Sequence, residues 1–419
     1  MNPPVQAWAA IEVFAIDGAR DLGFLSRVFD KLLVNFTWWV NMEDAGGNNV
    51  FEGGFLGLDN IGPIDRSHLP VGGVLEQSDA TGWMAFYAMA MGTIAIVLYW
   101  SGRRPETDLI LKFLEHFAAI TDAVDGQELW DEHDGLFYDR LLTPAGTAIP
   151  VQVRSMVGII PMLAAAVVDE PMLDRALTVK QFTDYLERHG MQDRDKLRET
   201  GLLRGDESGQ RLLLSVVGTD RLEKLFSKLF DEGEFLSPYG LRAVSAYHRD
   251  HPYQLEAEGL LATIDYEPAE STTDMFGGNS NWRGPLWLPL NYLVASSLER
   301  YHRFFGDDLT FEYPTGSGQR LPLGAIVTDL QDRLISIFLV GPDGRRPCFG
   351  WVERLQHDPA WKDNLVFNEY FHGDNGAGLG ASHQTGWTGL VADLIRRRHG
   401  AVRAVGDVIR DFRTKALQP

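Results

Sequence analysis

Residues 80–102 read ATGWMAFYAMAMGTIAIVLYWSG, without one charged side chain. From Trp83 to Trp100 the run is almost wholly apolar and long enough to cross a bilayer. It is the only such stretch, it is rich in Ala, Gly and Met, and it follows directly on Glu76-Gln77-Ser78-Asp79, a polar run with the character of a helix start. These features predict a helix buried on all sides in the core of a large helical protein, where an apolar surface all round is expected.

Amphipathic periodicity extends the helical reading outward. Leu25, Val28, Phe29, Leu32 and Phe36 recur at helical spacing, as do Ile110, Phe113, Leu114 and Phe117 after Pro105, and Leu290, Leu293, Val294, Leu298 and Tyr301. Further helices are expected at about 5–16, 154–168, 178–189, 221–230, 240–248, 321–339 and 385–399, each bounded by Gly, Pro or Asp. Strand signals are local: an Asp134-Gly135 turn between Trp130 and Phe137-Tyr138 predicts one hairpin, an insertion between helices. No linker or composition shift divides residues 1–419, so the expectation is a single all-α domain.

With 38 Lys and Arg against 58 Asp and Glu, the net charge of −20 repels phosphate backbones and anionic lipid, so neither nucleic acid nor a membrane is expected as a partner. A lone cysteine, Cys348, makes no internal disulfide and favours the cytoplasm. The N-terminus shows no export signal, since Met1-Asn2-Pro3-Pro4 lacks a basic region and Glu12 and Asp17 follow. Among 11 histidines and one cysteine there is no His-Glu-x-x-His or paired-Cys motif, and no Asp-Asp-x-x-Asp run or phosphate-binding Gly-rich loop occurs. Asp131, Asp134 and Gly135 fall short of the full calcium-loop spacing, so no cofactor is expected beyond, at most, a structural calcium there.

Three long loops, 41–79, 265–289 and 341–384, concentrate Gly, Asn, Asp, Trp and Phe, and loops this long in a helical domain are more often functional than idle. In the first, Asp59 lies between Leu58 and Ile61 among glycines, an apolar setting of the kind that raises a carboxyl pKa and suits a proton donor. The competing reading is a turn cap. In the last, Glu369 stands among Phe367, Tyr370 and Phe371 ahead of a Gly-rich turn, the competing reading being an ordinary solvated side chain. His372, Asp374 and His383 either position water or sugar hydroxyls or simply shape that loop. The middle loop, Asn279-Ser280-Asn281-Trp282-Arg283-Gly284-Pro285-Leu286-Trp287, offers indole faces for a pyranose and polar groups for its hydroxyls. Asn281, Arg283 and Gln77 are the candidates to reach those hydroxyls. Trp38, Trp39 and Trp83 are ambiguous between core and site, with core favoured for Trp38.

The Gly-Leu-Asp-Asn-x-x-Pro loop, Asn-Trp-Arg-Gly-Pro-Leu-Trp, the stretch from Phe235 to Arg242, and Glu369-Tyr370 followed by Gly-rich and Gly386-Trp387-Thr388 elements together resemble glycoside hydrolase family 63, the family of the processing α-glucosidases and many bacterial relatives. The resemblance spans residues 2–399. It implies an (α/α)6 barrel, a six-hairpin toroid, that hydrolyses α-glucosides with inversion. Asp59 then falls on the general acid and Glu369 on the general base, 310 positions apart (369 − 59) and brought together by closing the ring. Trp282, Arg283 and Trp287 fall on the pocket motif, with Trp83, His383 and Trp387 as further substrate contacts. Longer bacterial members carry a β-rich region and the first part of the barrel before the segment matching Asn2-Pro3-Pro4, so an incomplete barrel with an exposed apolar flank is expected. The alternative function is a non-catalytic carbohydrate-binding fragment of that barrel. Sugar, linkage and oligomeric state stay open.

Overall fold

The uncharged run forms helix α3, Ser78–Trp100, and nearly all of its residues are buried. It is the one helix among the described residues long and apolar enough to cross a membrane, and 83% of its most apolar window is buried inside the protein. A computed structural model describes residues 2–42, 44, 46–54, 58, 60–105, 107–169, 177–189, 204–205, 211–273, 275, 281–400 and 405–416. Around α3 pack α1 (Gln6–Ile16), α2 (Leu22–Met42) and α4 (Asp108–Gly126). Gly82 on α3 allows the closest approach: a Cβ there would come within 2.8 Å of the Pro161 backbone.

The facing stripes of α2 and α4 interlock through rings, Phe36 lying 5.1 Å and Phe29 6.1 Å from Phe113, both edge-on. Burying each such side chain stabilises the fold by about 1.5–3 kcal/mol. The remaining long helices are α5 (Leu177–Arg188), α6 (Thr219–Leu229), α7 (Leu288–Phe305), α8 (Leu323–Ser336), α9 (Val391–His399) and α10 (Val405–Ala416). Helices α7, α8 and α9 enclose a second apolar cluster, including Tyr292, Leu334, Phe338 and Leu394, beneath the last long loop.

Small antiparallel sheets stitch the connections, which revises the all-α expectation to a mainly helical fold carrying several short ribbons. The expected hairpin is present, Trp130 pairing with Phe137 and Asp131 with Leu136. Residues 154–168 are not one helix. Two 3-10 turns, Met156–Gly158 and Ile160–Leu163 with Pro161 at the start of the second, stand there instead, and Ala165–Asp169, with Val167 and Val168, pairs with Arg211–Ser215 as a strand. The helix expected at 240–248 is replaced by a short strand, Gly240–Leu241, paired with Leu236–Ser237 with Gly240 at φ +142°, and by a 3-10 turn at Ala246–Arg249. Residues 385–399 divide at Gly389 into a short turn, Thr385–Thr388, and α9. On α2 the buried indole is Trp39, while Trp38 is 42% exposed, which reverses the expected placement: one residue turns the side chain by about 100° around a helix.

A buried ionic lock anchors the first long loop. Arg66 bonds Asp79 at the start of α3 (Nη1 to Oδ2, 3.0 Å) and lies 3.1 Å from Asp139 on the strand Asp139–Leu142. Asp139 also accepts the Ser78 backbone N–H at 2.9 Å. Loop, helix and strand are thereby fixed at one point.

Candidate active site

The three long loops are fastened to one another by side-chain and backbone hydrogen bonds. Asn60, buried and left-handed at φ +56°, receives the Thr273 hydroxyl at 2.9 Å, donates to the Ser271 hydroxyl, and lends its carbonyl to Arg283 Nε at 3.1 Å. First and middle loops are thus joined across 223 positions. The middle loop joins the last through paired backbone bonds between Leu286 and Phe371 (2.8 and 3.0 Å) and from Gly373 N to Pro268 O (2.8 Å). Asp374 closes the seam, accepting Tyr266 Oη at 2.8 Å, Arg242 Nη2 at 3.1 Å and Arg249 Nη2 at 2.9 Å. Asp59 lies outside the described residues; its neighbours Leu58 and Asn60 are both buried.

Glu369 is half-buried and held by one residue twice: its N–H donates to Ala381 O (2.8 Å) and its Oε2 accepts Ala381 N (3.0 Å). Next to it, the buried Tyr370 donates its hydroxyl to Glu270, which also accepts Gly380 N at 3.2 Å. Burial first, then that carboxylate, pushes the Tyr370 phenol far above its ordinary range, so it stays a donor.

Beside Glu369 stands an aromatic wall. Trp282 and Trp287 stack face to face at 3.9 Å and 4°, Tyr370 covers Trp287 at 4.6 Å, and Trp387 meets Trp287 edge-on at 5.3 Å. Trp282, Trp287 and Tyr370 are all buried, Trp287 more deeply than Trp282, while Trp387 is half-buried at the rim. Three buried polar atoms without a hydrogen-bond partner among the described residues lie on the middle and last loops, Nε1 of Trp287, Oε2 of Glu267 and Oδ1 of Asn368, and two more at the start of α3, Oε1 of Gln77 and Nε1 of Trp83. Such atoms are costly in a finished core and are expected where water or a ligand completes the bonding.

The other expected contacts divide. Gln77 caps α3 and donates Nε2 to Gly54 O, tying the first loop down. Trp83 sits in the main core. Asn281 does not face a ligand. Its amide donates to Glu267 O at 3.0 Å and to Ala269 O, and its oxygen accepts Arg283 N at 2.8 Å, so the whole side chain clasps its own loop. His383 is exposed. His372 accepts Asp374 N at 3.1 Å, and burial lowers its pKa, so the ring is neutral and shapes the loop. Asp131 and Asp134 are occupied by backbone N–H groups, Gln152, Tyr138 and Arg154, and among the described residues no three His, Cys, Asp or Glu side chains gather as a metal site would need.

No protein-family model matches the chain. It is 42% identical to the uncharacterized protein YMR196W of Saccharomyces cerevisiae over 94% of its own length and 38% of that protein's. It is 24% identical to a probable mannosyl-oligosaccharide glucosidase of Schizosaccharomyces pombe over 45% of the chain and 17% of that protein, and 22% identical to the mannosyl-oligosaccharide glucosidase of Saccharomyces cerevisiae over 48% and 19%. The chain therefore spans well under half the length of the curated relatives it matches. A solved family 63 mannosylglycerate hydrolase of Thermus thermophilus in complex with glucose aligns with a TM-score of 0.48 at 16% identity, covering 95% of this chain and 75% of that one. By sequence the chain is a relative of the mannosyl-oligosaccharide glucosidases, and its resemblance to glycoside hydrolase family 63 stands.

Proposed function

We propose that this chain forms part of the (α/α)6 catalytic barrel of an inverting α-glucosidase acting on oligosaccharides or small glycosides. The observation that carries the reading is the placement of Glu369: a carboxylate anchored by a backbone N–H, one residue from an aromatic wall built by Trp282, Trp287, Tyr370 and Trp387. Relatedness to glucosidases supports the choice of bond.

The chemistry follows from two carboxyl groups. Glu369, ionised, takes a proton from a water on one face of the sugar, and that water attacks the anomeric carbon as the glycosidic oxygen leaves from the other face. Asp59, protonated, gives its proton to the departing oxygen. Inversion requires room for the water, with the two carboxyls roughly 6.5–9.5 Å apart. Arg283 and the face of Trp282 hold the ring, and Asn60 fixes the loop next to the acid. The reaction consumes only water, so the reading assigns no cofactor or metal, and the partner is a carbohydrate.

Glu369→Gln and Asp59→Asn keep shape and remove proton transfer. Each should lower kcat on an α-glucoside by about 10²–10⁴-fold with the melting temperature little changed. A protein equally active in both variants refutes the assignment.

A further inference from the structure

Glu267 is a buried carboxylate that the reaction above does not use. The residue is 7% exposed, Oε1 accepts the Thr272 hydroxyl, and Oε2 is sealed without a hydrogen-bond partner. A buried carboxylate left this way is costly unless a cation compensates it. The compensating cation is Arg283, whose Nη1 lies 3.8 Å from Glu267 Oε2 and 3.8 Å from Asp265 Oδ1. Those separations attract but are too long for direct hydrogen bonds. Arg283 Nε is taken by the Asn60 carbonyl, and neither Nη donates a hydrogen bond among the described residues. The side chain, 4% exposed, thus keeps free donors while its charge is already balanced by two anions.

That balance has a chemical consequence. A neutral hydroxyl needs only the N–H groups. A carboxylate or phosphate needs net positive charge, and here it would meet Glu267 and Asp265 as like charges.

We propose that Glu267, with Asp265, is a specificity determinant that cancels the charge of Arg283, so that this subsite accepts an uncharged sugar ring and refuses one bearing a carboxylate. The proposal rests on the reading above, in which Arg283 lines the sugar pocket.

The test is a ligand-observed NMR titration of the catalytically silent Glu369→Gln protein with methyl α-glucoside and methyl α-glucuronide. The parent should prefer the glucoside by tenfold or more. Adding Glu267→Gln should narrow that preference roughly tenfold, the scale of one charge-assisted hydrogen bond, while Glu267→Asp, which keeps the charge, preserves it. Asp265→Asn, at a position 53% exposed and harmless to folding, should narrow it in the same direction. An unchanged preference in folded Glu267→Gln and Asp265→Asn proteins, or a parent that binds both sugars alike, overturns the proposal and leaves the glucosidase reading intact. A parent that binds neither sugar overturns the pocket reading and this inference with it.

Discussion

At Gly380 the backbone sits at φ +66°, and a Cβ there would lie 2.7 Å from Glu369 Oε2 and 2.8 Å from the Tyr370 ring. Gly380→Ala should therefore combine left-handed strain of about 1 kcal/mol with displacement of the Glu369 carboxylate. The expected outcome is a kcat loss of tenfold or more at nearly unchanged KM, since a misplaced base costs more than the strain does; equal kcat in a folded variant would show that the carboxylate tolerates the shift. At this scale Glu369 is a candidate from sequence because it precedes a Gly-rich turn among aromatics, although a lone Glu between Asn and Tyr is more often a solvated side chain, and its role as base comes from the resemblance. Glu267 is not legible, because nothing in its flanks marks it, and only the fold sets it against a guanidinium 16 positions on (283 − 267). Asn281 misleads for a related reason: an amide that clasps its own loop and one that faces a ligand share the same sequence surroundings.

Among elements, α3 was predictable from composition alone, since an uncharged run this long that begins at a polar cap has nowhere to go in water but the core. The ribbons were not, because two- to five-residue strands depend on partners far along the chain, as Ala165–Asp169 depends on Arg211–Ser215. The ionic lock beneath the first loop has a pH signature. Burial raises the Asp139 carboxyl to about 6 from 3.8, with Arg66 pulling it back and Asp79 adding to the rise. Because the folded value is the higher one, the folded state binds the extra proton between these limits. Stability from this group is then full below the unfolded value and is lost as pH rises toward 6. Asp139→Asn removes the titration, so its stability relative to the parent should grow with pH by about 1.4 kcal/mol per unit inside that window. Urea midpoints at pH 4.5 and 6.5 measure the gap, and a gap independent of pH would place the proton elsewhere.

For the whole molecule, the proposed function depends on three loops far apart in sequence meeting at one place, and Asn60, Arg283, Phe371 and Asp374 show how they are fastened. The order of the motifs made a meeting of the loops an expectation of the resemblance, while the fastening, made of bonds between residues far apart in the chain, belongs to tertiary structure alone. In the proposed mechanism Asp59 and Glu369 act together in inverting hydrolysis. The most direct measurement follows by NMR the anomer first released from an α-glucoside by the parent, Asp59→Asn and Glu369→Gln proteins. The parent should release the β-anomer first and both variants should lose that release; initial release of the α-anomer, or release that persists in either variant, would rule out inversion by this pair.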